Sequence, residues 1–220
     1  MKQITPAKIT MLCEGIYYGS EDIKNTEISS ITTDSRNISS GGAFVAIKGA
    51  RADGNKYIMQ TYNNGAVCCI SEFTPQEACG AAELPAGCAF IQVKSCFQAL
   101  KDIAAFYRTA CGTKIIGITG SVGKTTTKEM VASVLSEHFN TLKTQGNFNN
   151  EVGVPLTLFR LREEHEIAVV EMGISEFGEM TRLSKIVKPD ICIITNIGQC
   201  HLENLGDRDG VLKAKTEIFS

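Results

Sequence analysis

Lys114–Glu129 reads KIIGITGSVGKTTTKE. Ile115, Ile116 and Ile118 give a short buried-strand signal, and a glycine-bearing turn follows from Gly120 to Gly123. Lys124 and three threonines then open a segment, Thr125 to Phe139, with helical spacing at Met130, Val131, Val134 and Leu135. Strand, Gly-rich turn, Lys-Thr and helix together predict a phosphate cradle. Backbone N–H groups of the turn and of the helix N-terminus are expected to point at the anion, and the helix dipole adds to the attraction. Lys124 can neutralise β- and γ-oxygens, and the Thr125 hydroxyl can ligate Mg²⁺. The common pattern GxxxxGK[ST] wants a glycine where this chain has Ile118, so the loop is a variant. The plainer alternative is a tight turn with an exposed lysine; the flanking strand and helix argue against it.

Working outward, strands alternate with helices. Thr141–Lys143, Ile167–Met172 (IAVVEM) and Ile191–Ile197 (ICIITNI) read as strands, the last two apolar enough to be central in a parallel sheet. Phe177–Val187 reads as a helix stopped by Pro189. Upstream, Ala43–Ile47, Ala66–Ser71 and Phe90–Val93 read as strands, with helical spacing around Ile4–Leu12, Asn55–Asn63 and Ser95–Cys111. Residues 72–89 read as an irregular surface connection. The fold class is therefore α/β, in two parts: a small N-terminal α/β domain, 1–94, and a mostly parallel P-loop-type α/β domain, 95–220.

Hydrophobic residues make up 43% and charged residues 21%, ordinary for a globular protein. A net charge of −2 offers no global field for nucleic acid or an anionic membrane. No apolar run approaches the roughly 18–20 residues that span a bilayer, and no stretch near Met1 resembles a signal-peptide core. Nine cysteines, odd in number and without CxxC spacing, read as reduced thiols of a cytoplasmic protein.

In parallel α/β sheets ligands sit at the strands' C-terminal ends, which makes several polar residues candidates. Glu171 in VVEMG is a ready Mg²⁺ ligand, because a hard cation wants oxygen. His201, in TNIGQCHLE, can bind a divalent ion or hydrogen-bond a phosphate, or merely satisfy a local contact. Asn147, Asn149 and Asn150 crowd a loop that reads equally as a turn. Asp34-Ser35-Arg36 reads as a capped turn or, through the Arg36 fork, as a phosphate-binding loop. Lys213 and Lys215 read locally as a solvated helix face.

These motifs, taken in order, resemble the ATP-dependent Mur ligases of peptidoglycan synthesis. TDSR, GGAFVAIKG and DGNKYI resemble the family's UDP-binding domain. GITGSVGKTTTKEM, AVVEMG, ITNIGQCHLENLG and KAKTEIF resemble its ATP-binding domain, and GNFNNEVGVPLTL is most like the D-alanyl-D-alanine-adding (MurF-type) branch. The resemblance implies that Gly120, Ser121, Gly123, Lys124, Thr125 and Thr126 bind ATP, with Asn147 near the nucleotide. Thr125, Glu171 and His201 would hold Mg²⁺. Lys124, Glu171, His201 and Lys215 would serve catalysis, Lys215 aligning with a lysine that several members carbamylate. Ser35, Arg36, Lys48, Asn149 and Asn150 would contact substrate. Asn55 and Val122 depart from the usual residues and are given no role.

The implied cofactors are ATP and Mg²⁺, and the implied substrates UDP-N-acetylmuramoyl-tripeptide and D-alanyl-D-alanine. No nucleic acid or membrane partner is expected, and the full-length protein is expected to be a monomer. Family members carry a third, C-terminal domain, so the central domain is expected to be incomplete at Ser220 and the chain alone not to complete the ligation. The alternatives are a sister ligase adding diaminopimelate or lysine, and a non-catalytic nucleotide-binding fragment.

Overall fold

The computed structural model describes residues 1–49, 52–80 and 83–219. It separates into two compact units, Met1–Ala110 and Cys111–Ser220. No helix among the described residues is long and apolar enough to cross a membrane.

The first unit holds strands β1 (Ile16–Gly19), β2 (Ile31–Thr32), β3 (Ala43–Val45), β4 (Cys68–Ser71) and β5 (Ala89–Gln92). Its helices are α1 (Pro6–Leu12), α2 (Glu21–Lys24), α3 (Ile58–Asn63), α4 (Pro75–Cys79) and α5 (Cys96–Cys111). The sheet order is β1-β5-β4-β3-β2, parallel except where β1 runs against β5. Phe44, Ala46, Ile58, Tyr62, Ala66, Cys69 and Phe90 form a core cluster. The Tyr62 hydroxyl is satisfied inside that cluster by donating to the Ala89 carbonyl at 2.7 Å. None of the nine cysteines forms a disulfide. Burial pushes the thiols of Cys13, Cys69 and Cys96 up to about 12, which keeps them protonated and inert.

Two expectations change here. Residues 72–89 are not wholly irregular: Thr74 and Glu77 form a reciprocal capping box with Pro75 at the first turn, and α4 follows. Ala81 and Ala82, in the same stretch, lie outside the described residues. The division expected near 94 falls instead after Ala110. Helix α5 is fastened to the first unit: the Cys96 thiol meets the Ala46 and Ile70 carbonyls, and the Cys13 thiol meets the Ala99 carbonyl.

The second unit contains β6 (Lys114–Thr119), β7 (Thr141–Lys143), β8 (Ile167–Glu171) and β9 (Ile191–Ile194). Its helices are α6 (Lys124–Leu135), α7 (Gly153–Leu158), α8 (Glu179–Val187), α9 (Leu202–Leu205) and α10 (Arg208–Thr216). The sheet is all parallel in the order β7-β8-β6-β9. Ile118, Ala132 and Val169 tie α6 to the sheet, with Ile116, Val131, Leu135 and Ile193 packed around them. β8 is internal, as its apolar run predicts. β9 is shorter than expected and pairs only with β6 among the described residues, with Ile191 56% exposed. An apolar run cannot say whether a strand has a second neighbour.

The register positions the site. Ile118 of β6 lies opposite Glu171 of β8, and Thr119 lies opposite Ile194 of β9. The turn after β6 is therefore flanked by Glu171 on one side and by Thr195 and Asn196 on the other.

Candidate phosphate and metal site

Two glycines shape the turn after β6 for different reasons. Gly120 has φ +146°, and a Cβ there would sit 1.9 Å from the Thr195 hydroxyl oxygen. Gly123 has φ +79° and stands at the N-cap of α6, a conformation that L side chains rarely adopt. Lys124, the first residue of α6, folds its ammonium back over the turn, donating to the carbonyls of Gly120 (2.8 Å) and Ser121 (3.4 Å).

Not every N–H of the turn faces the cradle. The Ser121 N–H donates to the Asn196 carbonyl and the Val122 N–H to the Asn196 side-chain oxygen, each at 3.1 Å. The Thr195 hydroxyl donates to the Val122 carbonyl at 2.6 Å, and the Gly198 N–H donates to the Ser121 hydroxyl at 2.9 Å. The expectation that the whole turn points at an anion is corrected on these two amides. The start of α6, with Lys124, is what remains as a candidate anion-binding face.

Glu171 is 1% exposed. Its Oε2 accepts from the Thr125 hydroxyl at 3.0 Å and its Oε1 from the Asn149 amide at 2.8 Å. Its N–H donates to the Thr144 hydroxyl at 3.0 Å. The Lys128 ammonium lies 3.8 Å from Oε2. A carboxylate and a threonine hydroxyl at this spacing are hard oxygen donors, and Mg²⁺ is commonly held by one or two such groups together with nucleotide phosphates. The donor set fits Mg²⁺. His201 adopts φ +51° at the start of α9, half-exposed, with Nδ1 3.9 Å from Glu203 Oε1. Among the described residues no cluster of three or more His, Cys, Asp or Glu gathers as a metal centre. The structure thus brings together Thr125 and Glu171, and leaves His201 facing Glu203.

Lys213 and Lys215 of α10 divide. Lys213 is exposed over the Phe177 ring, whereas Lys215 is 1% exposed. Burial pulls the Lys215 ammonium below the ordinary lysine value; Cys200 opposes this and the Lys124 charge adds to it. Cys200 in turn lies 3.2 Å from the Ser121 hydroxyl. The local sequence pattern missed this residue, because two lysines two positions apart look alike until packing buries one.

The asparagine loop also divides by residue. Asn147 is exposed, and its carbonyl accepts the Asn149 N–H. Asn149 is taken up by Glu171, with Gly173 leaving room for its amide. Asn150 accepts the N–H groups of Val152 and Gly153 ahead of α7. Thr126 is exposed one residue beyond Thr125.

In the first unit a cavity of about 520 Å³ is lined by Ser35, Arg36, Phe44, Tyr57 and Gln60 among others. The Arg36 guanidinium forks onto its own neighbour, Nε to Asp34 Oδ1 at 2.9 Å and Nη2 to Oδ2 at 2.7 Å. That pair holds the Asp34 carboxyl below the ordinary carboxylate value. Lys48 is exposed in an isolated bridge with Asp53.

Comparison with known proteins shows the family. The Mur ligase middle-domain model matches residues 118–220, and the Mur ligase family catalytic-domain model matches 27–108. The chain belongs to the Mur ligase family. It is 39% identical over 197 residues to the UDP-N-acetylmuramoyl-tripeptide–D-alanyl-D-alanine ligase of Bacillus subtilis, which covers 90% of this chain and 42% of that protein. The crystal structure of MurF from Acinetobacter baumannii superposes with a TM-score of 0.84 at 41% identity, covering 98% of this chain and 46% of that one. MurF ligase from Thermotoga maritima, solved in complex with ADP, gives a TM-score of 0.75 at 33% identity, covering 86% of this chain and 42% of that one. The Mur ligase chain described here thus spans less than half the length of these relatives.

Proposed function

We propose that the protein acts as the dipeptide-adding Mur ligase, joining D-alanyl-D-alanine to UDP-N-acetylmuramoyl-tripeptide with conversion of ATP to ADP in the cytoplasm. The observation that carries the ATP-dependent part is the Thr125–Glu171 contact directly beneath the phosphate turn. The substrates follow from the names of the relatives, matched over nine-tenths of this chain in Bacillus subtilis.

In this reading the tripeptide carboxylate attacks the γ-phosphorus, giving an acyl phosphate and ADP. The dipeptide amine then attacks the acyl carbon and displaces phosphate, forming the amide. Phosphoryl transfer depends on positioning and charge neutralisation. Lys124 swings from the Gly120 carbonyl onto the β- and γ-oxygens, while the α6 N-terminus binds the phosphates. Thr125 and Glu171 would hold Mg²⁺, which when bound would supply further neutralisation of the phosphate charge. Lys215 is suited to carbamylation because the reaction needs a neutral amine, and burial favours that form. The cavity beside Ser35 and Arg36 is the uridine diphosphate site, with Arg36 released from Asp34 when the diphosphate binds.

Thermal-shift titration with UDP, UDP-N-acetylmuramoyl-tripeptide and Mg·ATP tests this, since a ligand bound only by the folded state raises Tm. All three are expected to raise it, and Lys124→Ala is expected to abolish the Mg·ATP shift while leaving the UDP shift intact. An unchanged Mg·ATP response in that variant would remove Lys124 from the site, and no response to UDP ligands would remove the muramyl assignment.

A further inference from the structure

Lys128 is the charged neighbour of Glu171 to which the reaction above gives no task. It sits on α6 one turn beyond Thr125, on the same side of the helix, with its side chain 1% exposed. A lysine so deeply buried persists only if its charge is matched. Two carboxylates match it. Glu129 Oε1 lies 3.1 Å from the ammonium on one side and Glu171 Oε2 lies 3.8 Å away on the other. Glu129 is half-exposed and is itself paired through Oε2 with Lys143 of β7. The result is an alternating row, Lys143–Glu129–Lys128–Glu171, running from the surface to the buried carboxylate. Oε2 of Glu171 is the oxygen that also receives the Thr125 hydroxyl, so Lys128 approaches the atom through which a divalent cation would be held.

We propose that Lys128 is a positioning residue that acts as the resident cation of this site: it balances Glu171 when no metal is bound, and a divalent ion binds against its charge. The inference rests on the reading of Glu171 as a metal ligand. Two like charges sharing one carboxylate repel, so Lys128 holds divalent affinity down, while Thr125 and Asn149 keep Glu171 in place whether or not Lys128 is there. Glu129 tunes this by drawing Lys128 away from Glu171. Loss of the lysine charge and loss of the glutamate charge therefore shift metal binding in opposite directions, which a scaffold role for either residue does not do.

The test is Mn²⁺ binding to the 220-residue chain at saturating ADP, read by the electron paramagnetic resonance of the free ion, with metal-free ADP affinity measured alongside. Lys128→Met is expected to tighten Mn²⁺ on the order of tenfold. It should also lower Tm in chelator and give a larger Mn²⁺-induced rise in Tm than the parent shows. Lys128→Arg should stay near the parent. Glu129→Gln, a substitution at a half-exposed position, should weaken Mn²⁺ several-fold. A folded Lys128→Met with unchanged or weaker Mn²⁺ binding overturns the proposal. If that variant does not fold, Glu129→Gln decides, and unchanged or tighter binding overturns it. No Mn²⁺ binding by the parent chain would instead overturn the reading of Glu171, and the proposal with it.

Discussion

Glu171 and the asparagines before it show how one residue type divides into different jobs. Asn149 donates to Glu171 Oε1, whereas Asn150, the next residue, holds two backbone N–H groups ahead of α7. A hydrogen bond to a charged group contributes about 1.5–3 kcal/mol, against about 0.5–1.5 for a neutral one. Asn149→Ala should therefore lower Mg²⁺-dependent ADP affinity by about ten- to a hundredfold, because the carboxylate is left free to turn away from Thr125. Asn150→Ala should lower Tm and leave ADP affinity unchanged. Calorimetry with and without Mg²⁺ distinguishes the two, and equal effects from both would show that the loop acts only as a turn. The sequence offered three asparagines in four positions as one loop. Only packing shows which of them reaches the carboxylate, since the partner of Asn149 lies 22 positions away.

Among the elements, the phosphate turn does not stand alone. It is laced to residues 195–200, about 75 positions later, by hydrogen bonds to both backbone and side chains. Strand, turn and helix around Lys124 were legible because each leaves a local signal: an isoleucine run, glycines, and helical spacing. The lacing was not, because Thr195 and Asn196 look like any strand end until β9 is placed beside β6. Gly120 is the pivot, since any Cβ there collides with Thr195. Gly120→Ala combines that collision with a strained φ and should destabilise the second unit by about 1–3 kcal/mol or more. Asn196→Ala removes only the acceptor of the Val122 N–H, at an exposed position. It should cost about 1 kcal/mol or less in stability. Mg·ATP should nevertheless bind more weakly, because the turn loses its fixed shape. Denaturant unfolding and nucleotide titration of the two variants check this. A normal Mg·ATP affinity in Asn196→Ala would mean that the turn holds its shape without the 195–200 segment.

For the whole molecule, the position of the dividing line is a physical question that two fragments answer. The sequence suggests a break near 94, where the last strand of the first sheet ends and a helix leads toward the phosphate turn. That reading treats α5 as the opening of the second unit. Its apolar face, however, includes Leu100 and Ile103, both fully buried, and Tyr107, 1% exposed, and its first turn is held by Ala46, Ile70 and Glu72. Burying one large apolar side chain is worth about 1.5–3 kcal/mol. Three of them approach the 5–15 kcal/mol by which a whole domain is stable. Residues 1–111 should therefore unfold cooperatively, and residues 1–94 should be largely unstructured, as circular dichroism and denaturant titration would reveal. UDP should raise the Tm of the longer fragment, and Mg·ATP should not, because the phosphate turn begins beyond it. Equally cooperative unfolding of both fragments would mean that α5 contributes little to the first unit, and that the boundary belongs at 94.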